Sequence, residues 1–169
     1  MRLAIYPGSF DPVTNGHLDI LERALAIFDH VIIAVLVNPG KPGLFSLAER
    51  VSMLQSVIGE YPKVTIESFR GLTAEFAKQR GARTLIRGLR AVSDFDAELR
   101  VALVNRRLNS ELDTIFLMTS AQNLFLSSST VKEVAQLGGD TSSFVPAMVD
   151  RRLRERFAAL ATQDEETKP

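Results

Sequence analysis

Five short apolar runs alternate with segments of helical period, and that alternation limits the possible folds more than any other feature. The runs are Leu3 to Tyr6, Val31 to Val37, Val64 to Phe69, Thr84 to Ile86 and Thr114 to Met118. Val31 to Val37 is continuous and β-branched, as suits a strand buried on both faces. Between the runs, Leu18, Leu21, Leu25 and Phe28 recur on one helix face. Ser46 and Glu49 have capping-box spacing ahead of Val51, Leu54 and Ile58. Ala74 to Gln79 predicts a short helix closed by Gly81, and Phe95 to Leu108 a long one capped by Ser93. Thr130 to Leu137 predicts another, stopped by Gly138-Gly139, and Pro146 can open a last one because its missing N–H costs nothing there. The expected architecture is α/β and Rossmann-like: a doubly wound five-stranded parallel sheet with helices on both faces. At 169 residues the chain suits one domain, over 1–160, with a polar tail at 161–169 expected to fray.

Composition removes several function classes. Twenty Lys and Arg balance twenty Asp and Glu, so the basic footprint of a general nucleic-acid binder is missing. Without cysteine there is no disulfide or thiolate chemistry, and two histidines leave little for zinc. The longest strongly apolar run is too short to span a bilayer. The N-terminal run passes straight into Pro7-Gly8, without the length or cleavage site of a signal peptide. The expectation is a cytoplasmic protein with neither a nucleic-acid nor a membrane partner. The Arg151 to Arg156 cluster, interspersed with Asp150 and Glu155, reads as a solvated helix.

In a parallel sheet of this kind ligands bind outside the carboxyl ends of the strands. The unusual residues that follow strands are Ser9, Lys41, Leu72-Thr73, Arg87 with Arg90, and Ser127 to Ser129. Cations and small hydroxyls gathered at one edge suit an anion. Gly8 permits close approach of a backbone N–H, and Gly16-His17 opens a helix whose free N–H groups favour phosphate. Each residue also has a plainer reading: a structural His17, a solvated loop Lys41, an ion-paired Arg87 and a capping serine among Ser127 to Ser129.

Gly8-Ser9-Phe10-Asp11-Pro12 followed by Thr14-x-Gly16-His17 resembles the nucleotidyltransferases that carry an HxGH or TxGH signature. Ile86-Arg87-Gly88-Leu89-Arg90 and Ser127-Ser128-Ser129-Thr130-Val131-Lys132-Glu133 narrow this to a likeness to the bacterial phosphopantetheine adenylyltransferases, from about Leu3 to Val149. The resemblance implies reversible transfer of the adenylyl group of ATP to 4′-phosphopantetheine, giving dephospho-coenzyme A and pyrophosphate in coenzyme A biosynthesis. Attack would be direct and in line, so catalysis would rest on positioning and charge neutralisation. Mg²⁺ would be held mainly by the ATP phosphates, with no protein metal site. The family also implies a homohexamer, with dephospho-coenzyme A or coenzyme A as product or inhibitor.

On the same resemblance, His17 stabilises the transition state at the ATP α-phosphate. Lys41 and Arg87 hold the attacking phosphate, and an arginine fork suits that task. Ser9 and Phe10 supply donors around the phosphates, Ser9 to both substrates. Gly88, Leu89, Arg90 and Glu98 form one ATP-binding group, with Asn123, Leu124, Phe125, Leu126, Ser127, Ser128 and Ser129 as the second nucleotide loop. Thr73, Asn105 and Glu133 align near the pantetheine arm, where a cap, a helix surface and a capping-box carboxylate are equally good readings. Three positions depart from the family pattern: Ala97 for tyrosine, Asn123 for an aromatic and Thr73 for a longer apolar residue. The first two concern the adenine pocket, so ATP affinity is expected to change while the reaction persists. The rivals are a nicotinate mononucleotide or cytidylyl transferase and, in another class, a non-catalytic nucleotide sensor. A tRNA synthetase of related signature would need a longer chain, and nothing marks a flavin site.

Overall fold

The central strand, β1 (Leu3–Gly8), lies between β2 (His30–Leu36) and β4 (Thr84–Leu89). Outside these lie β3 (Val64–Phe69) and β5 (Asp113–Met118), giving the order β3-β2-β1-β4-β5 with every pair parallel. The structure is a computed structural model and describes residues 1–37, 40, 43–59 and 61–166. The helices are α1 (Asn15–Ile27), α2 (Leu47–Ile58), α3 (Thr73–Gln79), α4 (Val92–Leu108), α5 (Ser128–Gln136) and α6 (Ala147–Glu166). This is the expected α/β fold.

The two-residue period of a strand sorts its side chains between two cores. Ala4, Tyr6, Val31, Ile33 and Val35 face the core shared with Ile20, Leu21, Met53, Leu54, Val131, Val149 and Leu153. Ile5, Ile32 and Ala34 face the other, with Phe69, Ala74, Phe76, Ala77, Leu85 and Leu112. Each fully buried aliphatic side chain contributes roughly 1.5–3 kcal/mol. These central strands are therefore the hardest part of the fold to open.

Several helix ends differ from the sequence expectation. Helix α4 begins at Val92 after Ala91, without a side-chain cap, so Ser93 lies inside the first turn and does not cap it. Strand β4 continues through Leu89, so Arg87 is within the strand rather than at its end. Its neighbour β5 supplies a full ladder out to Met118, and that pairing extends the strand past the apolar run. Helix α5 starts two residues early, at Ser128, because Ser127 caps it. Helix α6 runs through Glu166, into the polar stretch expected to fray from 161; that stretch has helix formers and no Gly or Pro before Pro169. Arg156 departs from the solvated cluster: it pairs with Glu49 and lies over the Phe45 ring.

Helix α4 inverts the usual pattern. Its one buried residue is Asn105, while Val92, Phe95, Leu99, Val101, Leu103, Val104 and Leu108 are exposed. The apolar face of Phe95 to Leu108 therefore does not serve the core of this chain.

Candidate active site

From β1 the chain turns to β2 on one side, and β4 pairs with β1 on the other. A crevice therefore opens at the carboxyl ends of β1 and β4. A cleft of about 530 Å³ occupies it. Tyr6 to Ser9, Thr14, Gly16, His17 and Ile20 form one wall; Arg87, Gly88, Arg90, Val101 and Thr119 form another; Leu126 to Ser129 close the end, and Leu36 and Thr73 the side.

His17 is the third residue of α1 and takes part in its cap. Thr14 Oγ1 accepts from the His17 backbone N–H at 3.3 Å, and the Thr14 N–H donates to His17 Nδ1 at 3.0 Å. An Nδ1 that accepts an amide proton carries none, so a neutral His17 holds its hydrogen on Nε2. Burial, then the charges of Arg90 and Arg87, lowers the imidazole to about 4. The structural and functional readings of His17 are thus one arrangement: the cap fixes the tautomer that leaves Nε2–H as donor.

Phe10 backs this ring. Its own ring is 1% exposed, 5.0 Å from His17 and 5.4 Å from Tyr6 between centroids. Its φ of 46° lies in the left-handed region, uncommon for a bulky residue. Gly8 makes room for it: a Cβ there would lie 3.0 Å from two Phe10 ring carbons. Gly88 likewise has a methylene of Ile20 3.0 Å from its missing Cβ. Both glycines serve close packing beneath the cleft.

Arg87 donates from Nε and Nη2 to the two oxygens of Glu98, both at 2.6 Å, and from Nη1 to the Pro7 carbonyl at 3.1 Å. Burial alone would lower its pKa; the hydrogen bonds and charge of Glu98 outweigh that and raise it. The plainer reading of Arg87 as an ion pair is therefore present, and its partner is another candidate site residue. Arg90 pairs with Asp94 and donates to the Leu126 carbonyl at 3.2 Å, tying β4 to the serine run. Ser127 caps α5, accepting from Thr130 N–H at 3.0 Å. Ser128 Oγ donates to the Pro12 carbonyl at 2.8 Å, and Ser129 is exposed at the helix start. The open end of α5 therefore meets the β1–α1 turn.

The candidates divide between those in the cleft and those outside it. Ser9, His17, Thr73, Arg87, Gly88, Arg90, Leu126, Ser127, Ser128 and Ser129 line it. Leu89 is buried in the core, and Glu98 reaches the cleft only through Arg87. Asn123 and Phe125 line a neighbouring hollow with Asp19 and Phe144, and Leu124 is exposed beside them. Asn105 is buried, which excludes its helix-surface reading. Thr73 is the first residue of α3 rather than its cap, and Glu133 is exposed on α5 beyond the capping position. Lys41 lies outside the described residues.

Two buried charges near the cleft have no sequence assignment. The Asp11 carboxylate, 5% exposed, accepts from Leu44 N–H and Phe45 N–H at 2.9 Å and from Lys132 Nζ at 3.0 Å. Its partners are 33, 34 and 121 residues away, so no local pattern announces them. Arg50 Nη1 donates to the Ser9 carbonyl at 2.8 Å and the Leu36 carbonyl at 3.3 Å. Its spacing from Met53 and Leu54 placed it on the buried face of α2, a signal that was legible.

Among the described residues no group of three His, Asp or Glu is placed to hold a metal ion. The nearby carboxylates of Asp11, Asp94 and Glu98 are each engaged by a cation. What remains is a cleft of fixed donors and positive charge, suited to neutralising a polyanion and the charge that develops at a transferring phosphorus.

Residues 5–134 match the family model described as cytidylyltransferase-like. Proteins named phosphopantetheine adenylyltransferase are similar over almost the whole chain. The one from Desulfatibacillum aliphaticivorans is 53% identical, over 92% of this chain and 89% of that one. Those of Carboxydothermus hydrogenoformans (53%, covering 93% and 97%) and Caldanaerobacter subterraneus (54%, covering 93% and 98%) are equally similar. A solved Vibrio parahaemolyticus structure, provisionally assigned as a nicotinate-nucleotide adenylyltransferase, shares the fold. Its TM-score is 0.62 at 16% identity, over 89% of this chain and 97% of that one.

Proposed function

Because the chain belongs to the phosphopantetheine adenylyltransferases, within the cytidylyltransferase-like family, we propose that it carries out adenylyl transfer from ATP to 4′-phosphopantetheine. An oxygen of the 4′-phosphate attacks the α-phosphorus of ATP in line. The bond from that phosphorus to the bridging β-phosphate oxygen breaks, so pyrophosphate leaves and dephospho-coenzyme A forms. The observation that carries this reading is the cleft at the β1/β4 switch point, where a neutral His17 donor, Arg87, Arg90 and the α5 N-terminus meet.

Each group has a physical task. His17 Nε2–H donates to an α-phosphoryl oxygen, and the contact strengthens as charge builds there. Arg87, with Lys41, holds the attacking phosphate. Arg90 and the free N–H groups of α5 take the outer phosphates. Magnesium accompanying ATP would be held on the phosphate oxygens and would offset their charge; the nearby carboxylates of Asp11, Asp94 and Glu98 are paired with cations. Dephospho-coenzyme A, sharing both substrate halves, occupies the same cleft as product, and coenzyme A is a candidate inhibitor there. We place the reaction in the cytoplasm as part of the same proposal; separately, no described helix is long and apolar enough to cross a membrane.

We also propose that copies associate through the exposed apolar face of α4, as a homohexamer. Light scattering on a Val104→Glu variant tests this: a smaller assembly is expected, and an unchanged wild-type monomer would refute it. The activity is tested by pyrophosphate release from ATP and magnesium, with and without 4′-phosphopantetheine, and product mass. Phosphopantetheine-dependent release is expected; none from folded, ATP-binding protein would overturn the reading.

A further inference from the structure

A buried charge ordinarily has an ionic partner or a full set of hydrogen bonds. Arg50, 8% exposed on α2, has neither among the described residues. Its Nη1 donates to the Ser9 carbonyl at 2.8 Å and the Leu36 carbonyl at 3.3 Å, while its Nε is buried without a partner. A guanidinium cannot shed its proton to escape this environment. The cation is therefore kept for what it holds. Ser9 directly follows β1, Leu36 ends β2, and both residues line the cleft. One Nη1 thus ties together the carboxyl ends of the two strands.

The Ser9–Phe10 peptide is trans, so its C=O and N–H point in opposite directions. Arg50 takes the C=O from the buried face of α2, whereas Ser9 itself is exposed in the cleft. Among the described residues the Phe10 N–H has no hydrogen-bond partner. Phe10 also has a φ of 46°, a conformation that its surroundings must enforce. Ring packing against Tyr6 and His17 holds the side chain, and Arg50 holds the peptide that precedes it.

We propose that Arg50 is a positioning residue for ATP: by holding the Ser9 carbonyl away from the cleft, it turns the Phe10 N–H toward a phosphate of the nucleotide. This rests on the adenylyl-transfer reading and deepens it, because it assigns a buried residue of α2 to the orientation of a phosphate donor. A carboxylate beside Arg50 would draw the guanidinium off the two carbonyls, so the missing ion pair belongs to the device.

The test is calorimetric titration of wild type, Arg50→Met and Arg50→Lys with ATP plus magnesium and, separately, with adenosine, which lacks every phosphate. Arg50→Met keeps much of the volume and removes the donors. It should raise Kd for ATP roughly tenfold and leave Kd for adenosine within about twofold. Arg50→Lys keeps the charge but has no planar fork to span both carbonyls, and should raise Kd for ATP about three- to tenfold with the same selectivity. A merely structural role would lower Tm without separating the two ligands. Equal losses for ATP and adenosine, or ATP affinity unchanged in folded Arg50→Met, would overturn the inference. So would wild-type ATP affinity in Arg50→Lys, because charge alone would then suffice. Should Arg50→Met fail to fold, the Arg50→Lys titrations decide on the same terms. Wild-type protein that binds ATP but shows no phosphopantetheine-dependent pyrophosphate release would instead defeat the functional reading, so the two failures are distinct.

Discussion

Asp11→Ala should be among the most damaging single substitutions, although Asp11 is not expected to touch a substrate. The change removes the acceptor of Leu44 N–H, Phe45 N–H and the Lys132 ammonium. Phe45 is buried and Leu44 half-buried, so each orphaned N–H costs roughly 1–3 kcal/mol. The Lys132 side chain is 28% exposed and can turn to water, adding at most about 1 kcal/mol. The sum is about 2–7 kcal/mol, a large share of the roughly 5–15 kcal/mol that holds a typical domain. For a chain of this size it lowers Tm by about 4–28 °C. Asp11→Asn keeps one acceptor oxygen but points an amide at a donor, and should fall about halfway. Lys132→Met leaves both backbone bonds intact and should cost about 1 kcal/mol or less. Urea midpoints and thermal melts on the three variants measure this order. Asp11→Ala within about 0.5 kcal/mol of wild type, or Lys132→Met as damaging as Asp11→Ala, would refute the reasoning.

His17→Ala should cut kcat by about two to three orders of magnitude with little change in ATP affinity, since its contact strengthens in the transition state; near-normal turnover would remove it from the mechanism. The His17 imidazole lies at about 4 when folded, against 6.5 for the free group. The unfolded chain then binds the proton first, so its contribution to stability is complete above 6.5 and falls as pH drops toward 4. Denaturant midpoints in that window should fall less for His17→Gln than for wild type. By the same logic no kcat loss between pH 6 and 8 should trace to His17, and a pH–rate profile compared between the two proteins reads this out. Gly8→Ala places a methyl 3.0 Å from the buried Phe10 ring and should cost about 1–3 kcal/mol in a thermal melt.

Several features were legible in sequence because their causes are local. Alternation of apolar runs with helical periods specifies a parallel α/β sheet, and the sheet's order then fixes where ligands can sit. Thr14, Ser46 and Ser127 cap helices through residues at most three positions away. The motifs that carry the family resemblance are short and contiguous, and they brought Ser9, His17, Arg87, Arg90 and the serine run to one cleft.

Tertiary structure decided what depends on residues far apart in the chain. Glu98 is an unremarkable helix carboxylate until β4 brings Arg87 beside it. Asp11 has no visible partner until residues 44, 45 and 132 converge on it. The same holds for α4: spacing gives an apolar face, but only packing reveals that this chain's core does not cover it. A capping bond or a strand period is set by neighbours the backbone must keep close. Which charges meet, and which apolar face is left open, depends on how separate elements pack, and no local pattern encodes that.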